Sequence, residues 1–490
     1  MNDVKNNRTG IYFIRRGVCP RMNNTTESVS PMGDKEPLFS FSEFLAIVEG
    51  EAVSAPEGMA VNTVTDYAVY VTEPYTALFL KFLMSREDRK NLDDFKPLII
   101  VRQRGKESKD PFEGHALVEV GDMDRSYRRF VDYIRGRFDI PVIAVTGTCG
   151  KTTTKDMTAY ILEEKYPVVS TSRSCNAFQR NLAYLLEVTK ETGAAVFETP
   201  VGGPGLLATH CRYFKPTIGV ITNIGVDHLD RCKTVEEYIK AKGEMLEGLQ
   251  NEGTLILNAD DENTKKIPLD AYRGRVLRFG IHSGADYRAK NVRYAPGGMA
   301  FSLIRKGLSY PAFVPGYGEH QVSNALAAIA AANQAGGKIK DALRRLRGFQ
   351  NLTGHMEVFQ GLRGATVVND TWSSNPTSID AALKTFDELA KNKRKIVVLG
   401  CVSLLGDNAA EIHRQIGETA AAHRPDTLLA YGEHAGEIVS APGFNEAYAF
   451  ADVNEAAEKL LPLLDNKTAV LVKASMYDKD SADFIKNLAR

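Results

Sequence analysis

Apolar positions along the chain fall into two spacings that alternate. Short strand-length runs of apolar residues occur at 98–101, 116–120, 142–145, 194–197, 217–221 and 254–257, and again at 366–368, 396–399, 427–431 and 469–472. Between them lie stretches with helical periodicity, at 151–164, 181–187 and 235–249, and an Ala-rich run at 323–335 that reads as a tightly packed helix. Strand and helix in alternation imply parallel sheets covered on both faces. Residues 1–36 are rich in Asn, Arg, Ser and Thr, with one apolar island at 11–14, and read as a loose arm. From Phe39 a regular pattern begins, amphipathic through Phe44 and Ile47 and strand-like at 68–71. The polar, Gly-containing passage 287–298 reads as a hairpin or loop insertion. These features predict an α/β protein of three domains: a small α/β domain over 1–139, a central domain over 140–350 and an open α/β sheet over 351–490.

The length of 490 residues supports that count, because one hydrophobic core rarely serves so long a chain. Hydrophobic residues are 43% and charged residues 25%, as in an ordinary globular enzyme and unlike a disordered chain. Basic and acidic residues number 61 each, so net charge gives no footprint for nucleic acid or an anionic membrane. The six cysteines are scattered without a Cys-x-x-Cys pair, from which free thiols in a reducing compartment are expected. With no apolar run of membrane-spanning length and no signal-peptide order, the expected location is cytoplasmic.

The strongest chemical signal is an apolar strand running into Thr146-Gly147-Thr148-Cys149-Gly150-Lys151-Thr152-Thr153 and then a helix. Glycines let backbone N–H groups close around phosphate oxygens, the helix start adds partial positive charge, and Lys151 adds a mobile cation. Thr152 offers a hydroxyl to Mg²⁺. The full pattern, with four residues between the glycines, is not met because Val145 stands where the first Gly would be. The alternative is a Gly-rich turn before a helix. Four further elements stand out, two of which, at Glu198 and His228, follow apolar runs where ligands meet α/β sheets. Glu198 ends the run 194–197 and either holds a metal or caps a helix. His228 lies in Thr222-Asn223-Ile224-Gly225-Val226-Asp227-His228-Leu229-Asp230, as a metal ligand or a structural residue. Lys242 follows Tyr238 by four and reads by itself as a solvated helix lysine. In Gly316-Tyr317-Gly318-Glu319-His320-Gln321-Val322-Ser323-Asn324, a turn enters a helix where Ser323 and Asn324 cap it or meet a base.

In this order the elements resemble the Mur ligase family, which includes the folylpolyglutamate synthetases, and within it the members that add D-alanyl-D-alanine. The late segment Asp370-Thr371-Trp372-Ser373-Ser374-Asn375-Pro376 resembles the family's Asp-x-Tyr-x-x-Asn-Pro. The likeness covers about 141–490. It implies a central P-loop ATPase domain, a Rossmann-like C-terminal domain, ATP and Mg²⁺ as cofactors, and small-molecule carboxylate and amine substrates joined through an acyl phosphate. By the same resemblance Gly147, Thr148, Cys149, Gly150, Lys151, Thr152 and Thr153 hold the phosphates. Thr152 and Glu198 take one metal. His228 and Lys242, the latter as a CO₂-derived carbamate, take a second. Asn324 faces adenine, with His320 supporting that helix start, Asp370 faces the ribose, His355 stands where the family has an ATP-contacting Arg, and Asn176 is a surviving catalytic-loop Asn.

Departures cluster away from this ATP chemistry. The family's Asn-x-Asn-x-x-Ile-Gly-x-Pro reads Ser174-Cys175-Asn176-Ala177-Phe178-Gln179-Arg180 here, and acids of a C-terminal motif are absent from Val398-Leu399-Gly400-Cys401-Val402-Ser403-Leu404-Leu405-Gly406. The N-terminal domain carries only a faint echo of the family pattern at Thr65-Asp66 and 77–80. A Mur-type ligase acting on a carboxylate other than the standard muramyl peptide is therefore expected. The alternatives are the muramyl-peptide reaction itself, a glutamate ligase of the folate or poly-amino-acid type, and a non-catalytic ATP-binding module.

Overall fold

The computed structural model describes residues 36–81, 90, 92–105, 112–227, 229–403 and 405–489. The predicted arm and its island at 11–14 lie outside these, as does His228. The chain forms two compact units, Met1–Phe130 and Val131–Arg490.

The first unit carries a five-stranded sheet in the order Gly50–Ser54, Ala116–Val120, Ile99–Gln103, Thr76–Phe79, Thr63–Thr65. Only the first pair is antiparallel. Phe44, Phe79 and Phe130 are fully buried and meet one another, with Phe39 and Tyr127 at the margin. The helix Phe41–Val48 begins at Ser40, whose hydroxyl accepts from Glu43 N while the Glu43 carboxylate accepts from Ser40 N. The run 68–71, expected as a strand, is instead a single 3₁₀ turn at Ala68–Tyr70 with Val69 63% exposed. Its apolar residues belong to the connection between Thr63–Thr65 and Thr76–Phe79, which pair directly in parallel and leave no sheet position between them.

The second unit contains two sheets. The larger has nine strands in the order Leu308–Pro315, Gly298–Arg305, Tyr287–Ala295, Arg275–Gly280, Thr254–Asn258, Ile218–Ile221, Val142–Thr146, Ala194–Glu198, Val168–Ser170. From Tyr287–Ala295 to the last strand every pairing is parallel. All five residues of Val142–Thr146 and of Ala194–Glu198 are buried, the pattern of a sheet covered on both faces. Register sets the site: Glu198 pairs with Val145 and Ile221 with Thr146, so three neighbouring strands end at one level. The helices Lys151–Leu162 and Glu319–Gln334 pack against each other on one face. In the latter Ala325, Ala327, Ala328, Ala330, Ala331 and Ala332 are fully buried, and such small side chains permit close approach.

Where a hairpin or insertion was expected at 287–298, the strand Tyr287–Ala295 turns into two further antiparallel strands. The helical stretch expected over 235–249 breaks at Glu244 into Val235–Gly243 and Met245–Gly248. The Glu244 carboxylate accepts from Gly205 N (2.5 Å) and Ala208 N (3.0 Å), capping the helix Leu206–Phe214. Ser323 and Asn324 do not cap a helix, because this one already begins at Glu319 after Gly318 in a positive-φ conformation.

The smaller sheet has the order Glu357–Gln360, Thr366–Asp370, Thr468–Lys473, Arg394–Gly400, Thr427–Tyr431, Ala447–Phe450, parallel except for its first pair. Cys149, Cys211, Cys232 and Cys401 are free thiols, whereas Cys175, expected free, is disulfide-bonded. Among the described residues no helix is long and apolar enough to cross a membrane.

Candidate nucleotide and ligation site

The loop after Val142–Thr146 needs glycine at two places. Gly147 has φ 148°, and a Cβ on it would lie 1.8 Å from Thr222 Oγ1. Gly150, with φ 76°, precedes the helix Lys151–Leu162, and a Cβ there would lie 2.2 Å from Asn324 Oδ1. Asn223 holds the loop from the neighbouring strand end, its Oδ1 accepting from Thr148 N (3.2 Å) and Cys149 N (2.9 Å). Thr222 Oγ1 donates to Cys149 O at 2.6 Å and Gly225 N to Thr148 Oγ1 at 2.8 Å. With those amides engaged, the first-turn N–H groups of the helix, which no intrahelical carbonyl can satisfy, are what remains for an anion. Lys151 Nζ folds back to Thr148 O at 2.9 Å, within reach of the same space.

Beside the helix start lies an oxygen-rich cluster. Thr152 Oγ1 donates to Glu198 Oε2 at 2.8 Å and lies 3.1 Å from Ser174 Oγ. Asn176 Nδ2 donates to Glu198 Oε1 at 2.7 Å, and Glu198 N to Thr171 Oγ1 at 3.0 Å. Glu198 is buried and has hydrogen-bonding partners on both carboxylate oxygens, so the strand-end position serves this cluster and caps no helix. Hydroxyl and carboxylate oxygens form the donor set a hard cation such as Mg²⁺ prefers. Among the described residues no group of three or more His, Cys, Asp or Glu is placed to hold a metal, so any such site needs Thr152 or residues outside that group.

Lys242 is not a solvated helix lysine. It is fully buried, its Nζ has no hydrogen-bond partner, and it lies 4.4 Å from the Tyr238 ring centroid. Burial, then the nearby charge of Lys151, pushes the amine well below the usual lysine range, against an opposing pull from Asp227. A buried amine with no hydrogen-bond partner is costly, so its position calls for an explanation beyond packing.

A cavity of about 550 Å³ opens between the loop and the smaller sheet, lined among others by Gly150, Thr153, Asn324, His355, Asp370 and Lys473. Asp370 and Lys473 are register partners in neighbouring strands and form an ion pair at 2.9 Å, with Lys473 almost fully buried. His320 lines the same cavity, and its ring sits against Gly318, where a Cβ would approach it to 2.6 Å. His355 Nδ1 is 3.1 Å from Thr353 O, and its ring lies 5.4 Å from that of Trp372.

Residues 145–332 match the Mur ligase middle domain and residues 354–476 the Mur ligase, glutamate ligase domain. A UDP-N-acetylmuramoyl-tripeptide–D-alanyl-D-alanine ligase from Bacillus subtilis (strain 168) is 30% identical over 324 residues, 66% of this chain and 70% of its own. The chain belongs to the Mur ligase family. A ligase of the same name from Synechocystis sp. is 28% identical over 456 residues, 91% of this chain and 96% of its own. The crystal structure of MurF from Acinetobacter baumannii superposes with a TM-score of 0.81 at 25% identity, covering 92% of this chain and 98% of that one. Like its relatives, this Mur ligase has three α/β domains and is an ATP-dependent, ADP-forming ligase that makes amide bonds. The likeness reaches well beyond 141–490, the part in which the sequence motifs are recognisable.

Of the residues singled out from the sequence, Thr152, Glu198 and Asn176 meet directly, and Gly150 and Asn324 touch across two helices. Asp370 and His355 face the same cavity from the smaller sheet. Burial raises the Cys149 thiol above the usual range, outweighing the pull of Lys151. Its Sγ donates to Asn375 Oδ1 at 3.3 Å. Sequence reasoning passed over Asn223, Ser174 and Lys473 as site residues. Asn223 lay beside the noticed His228, but no residue pattern shows that its side chain turns back onto a loop 74 positions away.

Proposed function

We propose that this Mur ligase joins the amine of D-alanyl-D-alanine to the terminal carboxylate of a UDP-N-acetylmuramoyl-tripeptide, a reaction within cytoplasmic precursor synthesis. The observation that carries the reading is the extent of the likeness to ligases named for that reaction, over 91% of this chain in one relative. Its chemistry rests on the cluster of Thr152, Glu198 and Asn176 and on the buried Lys242, which lies near enough to Lys151 to feel its charge. The working domain limits are 1–139, 140–350 and 351–490.

A carboxylate does not acylate an amine unaided, because its oxygen is a poor leaving group. In this reading the carboxylate oxygen attacks the γ-phosphorus of ATP and ADP departs. The amine then attacks the acyl carbon, loses a proton, and inorganic phosphate leaves. Gly147, Thr148, Cys149, Gly150 and Thr153 shape the phosphate cradle, and Lys151 neutralises the transferred group. Thr152 and Glu198 would hold Mg²⁺, with Asn176 fixing the carboxylate, and His228 with Lys242 would hold a second cation. Cations held there would supply positive charge against that developing on the phosphoryl oxygens. Uptake of CO₂ by the Lys242 amine, with loss of a proton, would convert an orphaned nitrogen into an oxygen ligand. Asn324 meets the adenine and Asp370 the ribose, while His355 occupies the edge of that pocket.

The test is ADP release from purified protein with UDP-N-acetylmuramoyl-tripeptide and D-alanyl-D-alanine, each also omitted in turn, and the mass of the product. Release that needs both, with a product of the condensed mass, is expected. Turnover with another acid and none with this one would replace the substrate assignment. ATP binding without turnover across a panel of acids and amines would return the chain to a non-catalytic role.

A further inference from the structure

The C-terminal part of the second unit reaches the oxygen-rich cluster through one side chain. Trp372 Nε1 donates to Ser174 Oγ at 3.2 Å, Ser174 Oγ lies 3.1 Å from Thr152 Oγ1, and Thr152 Oγ1 lies 2.8 Å from Glu198 Oε2. Proton inventory gives the chain a direction. An indole N–H only donates, and an ionised carboxylate only accepts. Thr152 spends its one proton on Glu198, so Ser174 must donate to Thr152, having accepted from Trp372. Thr152 is left with a single uncommitted lone pair whose direction its two partners set.

Trp372 is itself fixed from behind. Its backbone N–H donates to Gly354 O at 3.1 Å, and its backbone carbonyl accepts from Met476 N at 3.0 Å. The His355 ring lies across the indole. Two segments, one at Gly354 and His355 and one at Met476, therefore hold the residue whose indole orders a hydroxyl at the phosphate loop. The family pattern has Tyr at this position, and its phenol, unlike an indole N–H, both donates and accepts.

We infer that Trp372 is a positioning residue: by driving the relay Trp372–Ser174–Thr152–Glu198 in one direction, it makes the cation-binding geometry of Thr152 depend on the seating of the C-terminal domain. This rests on the reading of Thr152 and Glu198 as the Mg²⁺ side of the site.

The test is a double-mutant cycle on the full chain with Trp372→Phe, which keeps a ring but loses the donor, and Ser174→Ala, which keeps the indole. Each single variant is expected to raise the Mg²⁺ concentration for half-maximal rate roughly five-fold, about the worth of one hydrogen bond. KM for ATP at saturating Mg²⁺ should stay within about two-fold of the parent, because neither side chain contacts the nucleotide in this reading. The double variant should be no worse than either single. Trp372 is the sole tryptophan, so its emission in Ser174→Ala, read with acrylamide quenching, should report a looser indole in a protein whose circular dichroism is unchanged. Independent effects, multiplying to roughly 25-fold in the double variant, would overturn the relay, as would an unchanged Mg²⁺ requirement in both singles. Glu198→Gln separates the two readings. If its Mg²⁺ requirement matches the parent's, the metal assignment fails, while coupling between positions 174 and 372 in the turnover rate still decides whether the relay exists.

Discussion

Gly150→Ala probes the contact on which the phosphate loop depends. Two costs can be worked from the structure. An alanine held at φ 76° pays about 1–2 kcal/mol for a left-handed conformation. The added Cβ would also stand 2.2 Å from Asn324 Oδ1 and 3.1 Å from its Cγ, so the amide must swing away. The helix behind it cannot retreat, because Ala325, Leu326, Ala327 and Ala328 are fully buried. Swinging the amide gives up the contact with Thr154 Oγ1 (3.4 Å), about 1 kcal/mol at most for so long a bond. The sum is roughly 1–3 kcal/mol of stability, and the displaced helix start should weaken ATP binding at least about ten-fold, equal to 1.4 kcal/mol. Urea unfolding and isothermal titration with ATP measure the two effects. In an Asn324→Ala background, which already lacks both the obstructing atom and the Thr154 contact, Gly150→Ala should cost only the backbone strain of about 1–2 kcal/mol. A Gly150→Ala protein within about 0.5 kcal/mol of the parent, binding ATP equally well, would refute this account.

Three further outcomes follow from buried titratable groups. Lys242→Met should abolish ligation yet stabilise the protein at neutral pH in CO₂-free buffer, measured by denaturant unfolding. The folded amine sits below its ordinary 10.5, so below that pH the unfolded chain binds a proton the folded one refuses. The advantage of Met should therefore shrink as pH rises toward 10.5, by up to about 1.4 kcal/mol per unit. His355→Arg should lower the KM for ATP several-fold, since burial depresses the imidazole and leaves it without charge at pH 7 where a guanidinium keeps its own. Cys149 should alkylate more slowly than a free thiol at pH 7.5, quicken only above pH 9, and be protected by ATP, as peptide mass analysis would show.

The parallel strands of the nucleotide domain were legible because both their faces are covered, which leaves uninterrupted apolar runs such as 142–145 and 194–197. The antiparallel extension from Tyr287 to Pro315 was only half legible. Its strands mix buried and more exposed residues, carry Gly298 and Pro311, and bulge between Lys290 and Arg293, all features that loops share. The error at 68–71 has the opposite cause: a short apolar run proves burial of some residues and says nothing about a sheet partner. At the site, the Gly-rich loop announced itself because backbone geometry constrains residue type locally. Ser174 and Lys473 carry no such mark. Lys473 acquires meaning only when strand pairing sets it against Asp370. Lys242 shows the limit most clearly, since a lysine on a polar-looking helix proves to be fully buried.

The alanine-lined seam between Glu319–Gln334 and Lys151–Leu162 has a consequence for how such a chain can diverge. A row of side chains already reduced to one methyl leaves no slack that a larger neighbour can take up. Growth at Ala328 or Ala331 would have to be matched by loss on the facing helix, or the whole rod would shift and carry Asn324 off the phosphate loop with it. Positions remote from any ligand are thereby bound to vary in pairs, and the nucleotide pocket inherits its dimensions from a row of residues that never touch the nucleotide.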